Sequence, residues 1–169
     1  VNEPLHHAFA DESGDTVPSS GSHFLVVALS STMNARPIEL HVKRAHKKYG
    51  TSLSSGEMKA TASREVVVER LLRAIAQEPV AIVAVIVDKR DVVRPPEDAE
   101  DIYREAIARV VRHAVGKWPR VDLYLDKRYT TKSLRYRLER KIREGIAGLY
   151  QEAVIIRQED SVAQRAASD

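Results

Sequence analysis

The sequence predicts an α/β fold: an N-terminal hairpin, then parallel strands with flanking helices in a mixed sheet. Three observations carry this. Two apolar runs near the start are split by a turn-rich segment, residues 80–87 form an unbroken β-branched run (VAIVAVIV), and from there strand and helix patterns alternate three times. The hairpin consists of residues 5–11 (LHHAFAD) and 23–30 (HFLVVALS), joined by DESGDTVPSSGS, which is dense in residues that adopt turn conformations. Residues 37–49 show a mixed helical pattern. Residues 64–76 show a clearer one, with Val67, Leu71 and Ile75 at four-residue spacing, and 50–63 between them are polar and irregular. The run 80–87 reads as a central strand covered on both faces.

After the stop signal Pro95-Pro96, residues 98–115 form the most regular helix. Ile102, Ala106, Val110 and Ala114 make one row, flanked by Tyr103, Ile107 and Val111, and the helix start is acidic through Glu97, Asp98, Glu100 and Asp101. Residues 121–126 (VDLYLD) alternate as a strand, 133–149 repeat the helical period through Leu134, Leu138, Ile142, Ile146 and Leu149, and 153–156 form a last short strand. Ser161 and Gln164 have the spacing of a capping box, which predicts a helix over 162–169. That helix has no stop signal at Asp169, so the expectation is one domain over 1–169 whose last helix continues in a longer reading frame.

Composition narrows the function classes. The chain has 169 residues and no cysteine, which excludes disulfides, thiolate metal sites and cysteine nucleophiles and fits a reducing cytoplasm. The longest apolar run falls far short of the roughly 20 residues of a membrane helix, and no membrane partner is expected. The net charge of +3, from 27 basic against 24 acidic residues, names no partner by itself. No phosphate-binding glycine loop, dinucleotide fingerprint, nucleophile elbow or zinc-type His-Glu pair occurs, and the six histidines are scattered. Carboxylates are what remains. Two strand-like segments end in Asp-Lys-Arg just before a helix, at Asp88 and Asp126, and in open α/β sheets the carboxyl ends of parallel strands face the ligand. Asp11 leaves the first strand with Glu12, ahead of Ser13, Gly14 and Asp15. Asp11 and Asp15 can bond turn amides. Alternatively, Asp11 ligates a hard cation, since Mg²⁺ takes one or two protein carboxylates and three or four converging carboxylates can hold two ions.

FADESGD at 9–15, the strand FLVVALS, the isolated EMK at 57–59, LYLDKR at 123–128 and the tail EDSVAQRAASD at 159–169 together resemble the domain-of-unknown-function family thirty-eight hundred, over nearly the whole chain. That family is regarded as a divergent member of the ribonuclease H-like superfamily. The resemblance implies a ribonuclease H-like mixed sheet and a Mg²⁺- or Mn²⁺-dependent nuclease. By the same resemblance, Asp11, Asp126 and Asp169 hold metal, with Asp160 as substitute for Asp169. Glu57 completes the catalytic set, with the acidic helix start from Glu97 to Asp101 as the alternative, and Lys59 contacts phosphate. One departure is visible: ribonuclease H proper has three antiparallel strands before its first helix, whereas here helices intervene after two.

The basic residues add a partner. Lys127, Arg128, Lys132, Arg135, Arg137, Arg140, Lys141 and Arg143 face the single Glu139 over one stretch, with Tyr129 and Tyr136 interleaved. One reading is a solvated helix face. The other is a nucleic-acid surface beside Asp126, with Lys127, Arg128, Lys132 and Arg135 nearest the carboxylates. The functional expectation is therefore phosphodiester hydrolysis of RNA or DNA. Its rival is a non-catalytic nucleic-acid- or protein-binding domain of the same fold. Residue patterns fix neither the oligomeric state nor the choice of nucleic acid.

Overall fold

Alternation of apolar and polar residues folds β1 (His6–Ser13) and β2 (Phe24–Thr32) as an antiparallel pair, the expected hairpin. The computed structural model describes residues 3–17, 22–49, 63–94, 96–149 and 154–159. After β2 come two helices, α1 (Arg36–Tyr49) and α2 (Glu65–Ile75). They pack against one another and bury little: α1 has no buried residue and α2 only Val67. Then follow β3 (Ala81–Asp88), α3 (Glu100–Lys117), β4 (Val121–Asp126), α4 (Lys132–Gly145) and β5 (Val154–Glu159).

The five strands form one mixed sheet in the order β3-β2-β1-β4-β5. β3 pairs antiparallel with β2, β4 parallel with β1 and β5 parallel with β4. Strands β1, β3, β4 and β5 therefore all run one way, and their carboxyl ends share one edge of the sheet. One face carries the core. Ala8 and Ala10 of β1, Leu25, Val27 and Leu29 of β2, and Val121, Leu123 and Leu125 of β4 are buried with Ile107, Val110, Val111 and Ala114 of α3 and Leu138 and Ile142 of α4. Each fully buried branched side chain contributes about 1.5–3 kcal/mol, so the sheet and α3 are held mainly by this layer.

The strand 80–87 departs from expectation: β3 lies at the sheet edge, not its centre. Val83, Val85 and Val87 pack on the core, but Ile82 and Ile86 on the other face are 71% and 66% exposed. An unbroken apolar run marks two apolar faces without specifying what covers the second. Two smaller differences concern boundaries. α4 ends at Gly145, before residue 149, and the chain turns through Gly148 at φ +82° while Ile146 remains buried. The last strand reaches Glu159 instead of stopping at 156. The helix expected over 162–169 lies outside the described residues.

Geometry requires glycine at position 14. Gly14 follows the end of β1 at φ +94°, and a Cβ there would lie 2.3 Å from the Phe24 carbonyl oxygen. Gly14→Ala is therefore expected to cost roughly 1–3 kcal/mol, because both the backbone conformation and a strand carbonyl would have to yield. Urea denaturation measures it, and an unchanged midpoint would contradict this account of the turn.

Candidate functional site

Parallel pairing of β1 with β4 sets the site. Ala10 is in register with Leu125, and both point into the core, so the next residues, Asp11 and Asp126, emerge together on the opposite face at the carboxyl edge. The last paired residues before them, Ala10 and Leu125, are about one strand spacing apart, roughly 4.8 Å. Both residues are exposed. Asp11 Oδ1 accepts the Glu12 amide at 2.8 Å and Asp126 Oδ1 accepts the Lys127 amide at 2.9 Å. These bonds orient both carboxylates and leave the second oxygen of each without a partner among the described residues.

A half-buried network braces this edge from the core side. Arg128 donates to Glu12 at 2.6 Å and, through Nε and Nη2, to both oxygens of Glu100 at 2.8 Å. Glu100 also accepts from Tyr129 at 2.7 Å and Thr16 at 2.8 Å, and the guanidinium lies 4.5 Å from the Tyr103 ring centre. Hydrogen bonds from Arg128 hold Glu100 down to about 2, against the effect of burial. Burial pushes Glu12 up; Arg128 opposes this and the charges of Asp11 and Asp126 reinforce it.

These shifts have a pH consequence. A folded value for Glu100 below its ordinary 4.5 adds stability that is complete above 4.5 and lost as pH falls toward 2. The raised Glu12 acts oppositely, its contribution declining as pH rises through its folded value. Thermal melts are expected to show Tm falling below pH 4.5, with a shallower fall in Glu100→Gln. Equal slopes in the two proteins would mean that Glu100 does not govern this limb.

The structure thus brings together Asp11 and Asp126. Glu57, Lys59, Asp160 and Asp169 lie outside the described residues, and among the described residues no group of three or more potential ligands could hold a metal ion. Two exposed, oriented carboxylates with free oxygens still match the hard-donor demand of a Mg²⁺ that keeps waters and substrate oxygens in its other positions. Of the acidic helix start from Glu97 to Asp101, the alternative to Glu57, Glu100 is fully engaged by Arg128, Tyr129 and Thr16, and Asp98 and Asp101 pair with Arg104. Asp88 reaches the same edge, but Arg90 bonds it at 2.6 and 2.9 Å and holds it at about 2.

The basic stretch divides. Arg128 belongs to the internal network, so the phosphate role read for it from sequence would require breaking two ion pairs. Tyr129 is buried and unable to stack on a base, whereas Tyr136 is 66% exposed. Arg140 pairs with Glu144 at 2.7 Å, Arg143 with Glu139 and Lys141 with Glu105, both at 2.9 Å. The solvated-face reading thus holds for the second half of α4. Lys132 and Arg137 are exposed, and Arg135 is half-buried with an Nε that has no hydrogen-bond partner among the described residues. An open depression of about 330 Å³ between the start of α3 and α4 is lined by both signs of charge, including Asp98, Asp101, Arg104, Arg137 and Lys141.

Sequence reasoning missed the bracing network and a second cluster. On the same sheet face as Asp126, Asp122 accepts from Arg157 at 2.7 Å and from Tyr124 at 3.0 Å, and Tyr124 stacks on Phe9. The only signal was the two-residue spacing of Asp122, Tyr124 and Asp126, which places them on one face.

No protein-family model matches the chain, nor does any curated protein. Among solved structures, it resembles a chain of the PCNA–RNase HII complex from Archaeoglobus fulgidus, with 19% identity and a TM-score of 0.50 over 90% of this chain and 62% of that one. This chain thus spans less than two thirds of that protein. The fold is ribonuclease H-like, a mixed α/β arrangement around a five-stranded sheet. Among the described residues, no helix is long and apolar enough to cross a membrane.

Proposed function

We propose that this ribonuclease H-like chain is a cytoplasmic, divalent-metal-dependent phosphodiester hydrolase acting on nucleic acid, and that it belongs with the family it resembles in sequence. The observation that carries this reading is the placement of Asp11 and Asp126, each one residue beyond the last in-register pair Ala10–Leu125, at the carboxyl edge of adjacent parallel strands, each with one oxygen oriented by a backbone amide and one free. These two residues would hold Mg²⁺ or Mn²⁺, with Glu57 and Asp169 or Asp160 completing the set. When bound, the ion polarises a phosphoryl oxygen and lowers the pKa of water. The chain's own contribution is positional. The Glu12–Arg128–Glu100 network fixes the strand ends, and Lys127, Lys132, Arg135 and Lys59 would meet backbone phosphates.

The test incubates the purified chain with RNA, DNA and hybrid duplexes in Mg²⁺ or Mn²⁺. Cleavage that chelation abolishes is the expected result, and no cleavage of any substrate overturns the reading. A second reading, nucleic-acid binding without catalysis, rests on the exposed Lys132 and Arg137 of α4. Retarded mobility of nucleic acid without cleavage would establish it.

A further inference from the structure

We infer that two copies of this chain associate through the free edge of β3, extending the sheet across a two-fold axis at Ala84. In the sheet order β3 is terminal, with β2 its one neighbour among the described residues. Its pairing with β2 is continuous from Ala81 to Asp88. The outer edge therefore offers an unbroken row of backbone donors and acceptors. Proteins blunt such edges with charges, prolines or bulges. Between Ala81 and Val87 there is no charge, no proline and no break in register. The uncovered face is apolar as well, with Ile82 71% and Ile86 66% exposed around the exposed Ala84.

The sequence of the strand says what pairs with it. Residues 82–86 read Ile-Val-Ala-Val-Ile, which is the same in both directions about Ala84. Antiparallel pairing of two identical strands about that residue sets Ile82 against Ile86 of the other copy twice, Val83 against Val85 twice and Ala84 against Ala84. Every pair is apolar, and large side chains meet on the exposed face where none is now covered. The interface is isologous and closes at two copies. A seam of this length lies at the small end of specific interfaces, so association is expected to depend on concentration.

Sedimentation equilibrium over a concentration series tests this. The mass is expected to rise from 18.9 kDa to twice that value. Ile82→Lys combined with Ile86→Lys puts like charges opposite one another and should give a monomer. Ile82→Lys combined with Ile86→Glu puts opposite charges together at both sites and should restore the dimer. Both pairs of changes are at exposed positions, and unchanged circular dichroism verifies folding. Because the chain has no cysteine, Ala84→Cys supplies a second measurement: mild oxidation should yield a covalent dimer, since residues directly opposite lie within disulfide reach. A wild-type chain that stays monomeric at every concentration overturns the inference. So does a dimer that survives the double lysine change, or a folded lysine–glutamate variant that fails to recover it.

Discussion

Asp11→Asn or Asp126→Asn is expected to lower phosphodiester cleavage by about a thousandfold or more while leaving Tm nearly unchanged. The two halves of that expectation have separate causes. Asn keeps an Oδ1 that can accept the following amide, so the one hydrogen bond recorded for each carboxylate survives. Both residues are exposed, and exposed substitutions that preserve local bonds usually cost less than about 0.5 kcal/mol. What Asn removes is the negative charge and the hard anionic oxygen. Metal stabilisation of a reacting phosphate is worth several kcal/mol, and each 1.36 kcal/mol is a decade in rate. A binding readout accompanies the kinetic one. Wild-type protein should gain Tm as Mg²⁺ or Mn²⁺ is added, in proportion to the logarithm of saturation, and each variant should lose that gain. Cleavage at wild-type rates in either variant would remove these residues from the chemistry.

Arg128→Ala is expected to produce the largest loss of stability, about 2–4 kcal/mol in chemical denaturation and a Tm lower by roughly 10 °C. The reason is what it leaves behind. Glu12 and Glu100 are both mostly shielded from solvent and both depend on this guanidinium, and Glu12 is already pushed upward by burial. Removing the cation strands two carboxylates side by side. The figure is set below that of a fully buried pair because the Arg128 side chain retains 24% exposure. Arg128→Met combined with Glu12→Gln and Glu100→Gln should lose less than the single change, since no buried charge is then unpaired. If Arg128→Ala alone is neutral, the network does not brace the strand ends and its place in the proposed site falls with it.

How much of this was legible in the sequence follows from the range of each signal. α3 emerges from local periodicity because its burial is itself periodic, with Ile102, Ala106, Val110 and Ala114 all in the core; β4 is a strand over 121–126 as its alternation predicts, but its burial does not alternate, since Asp122 is buried beside Val121 and Leu123. The position of β3 was not legible, since an edge strand apolar on both faces has the composition of a central one. Asp11 and Asp126 were found because each ends a strand, but their adjacency depends on the β1–β4 register, a non-local fact. Arg128 reads as a surface cation in a basic stretch, and only the three-dimensional approach of Glu12 and Glu100, from two other elements, makes it internal. Tyr129 is similar: its neighbours in sequence are polar, and its burial comes from Tyr103 and Glu100 on α3.

The two helices lying between β2 and β3 bear on how the chain folds. The β1–β2 hairpin closes over a short segment, whereas β3 reaches β2 only after the whole α1–α2 excursion. Loop-closure entropy grows slowly, about 0.6 kcal/mol per doubling of loop length, so the excursion is thermodynamically cheap. Its weight is kinetic, because long-range strand pairing raises contact order and slows folding. The hairpin can form early, with β3 added late. Until it docks, the most apolar eight-residue segment of the chain stays solvent-exposed, which makes the interval before β3 docks the stage at which the nascent protein is most vulnerable to aggregation.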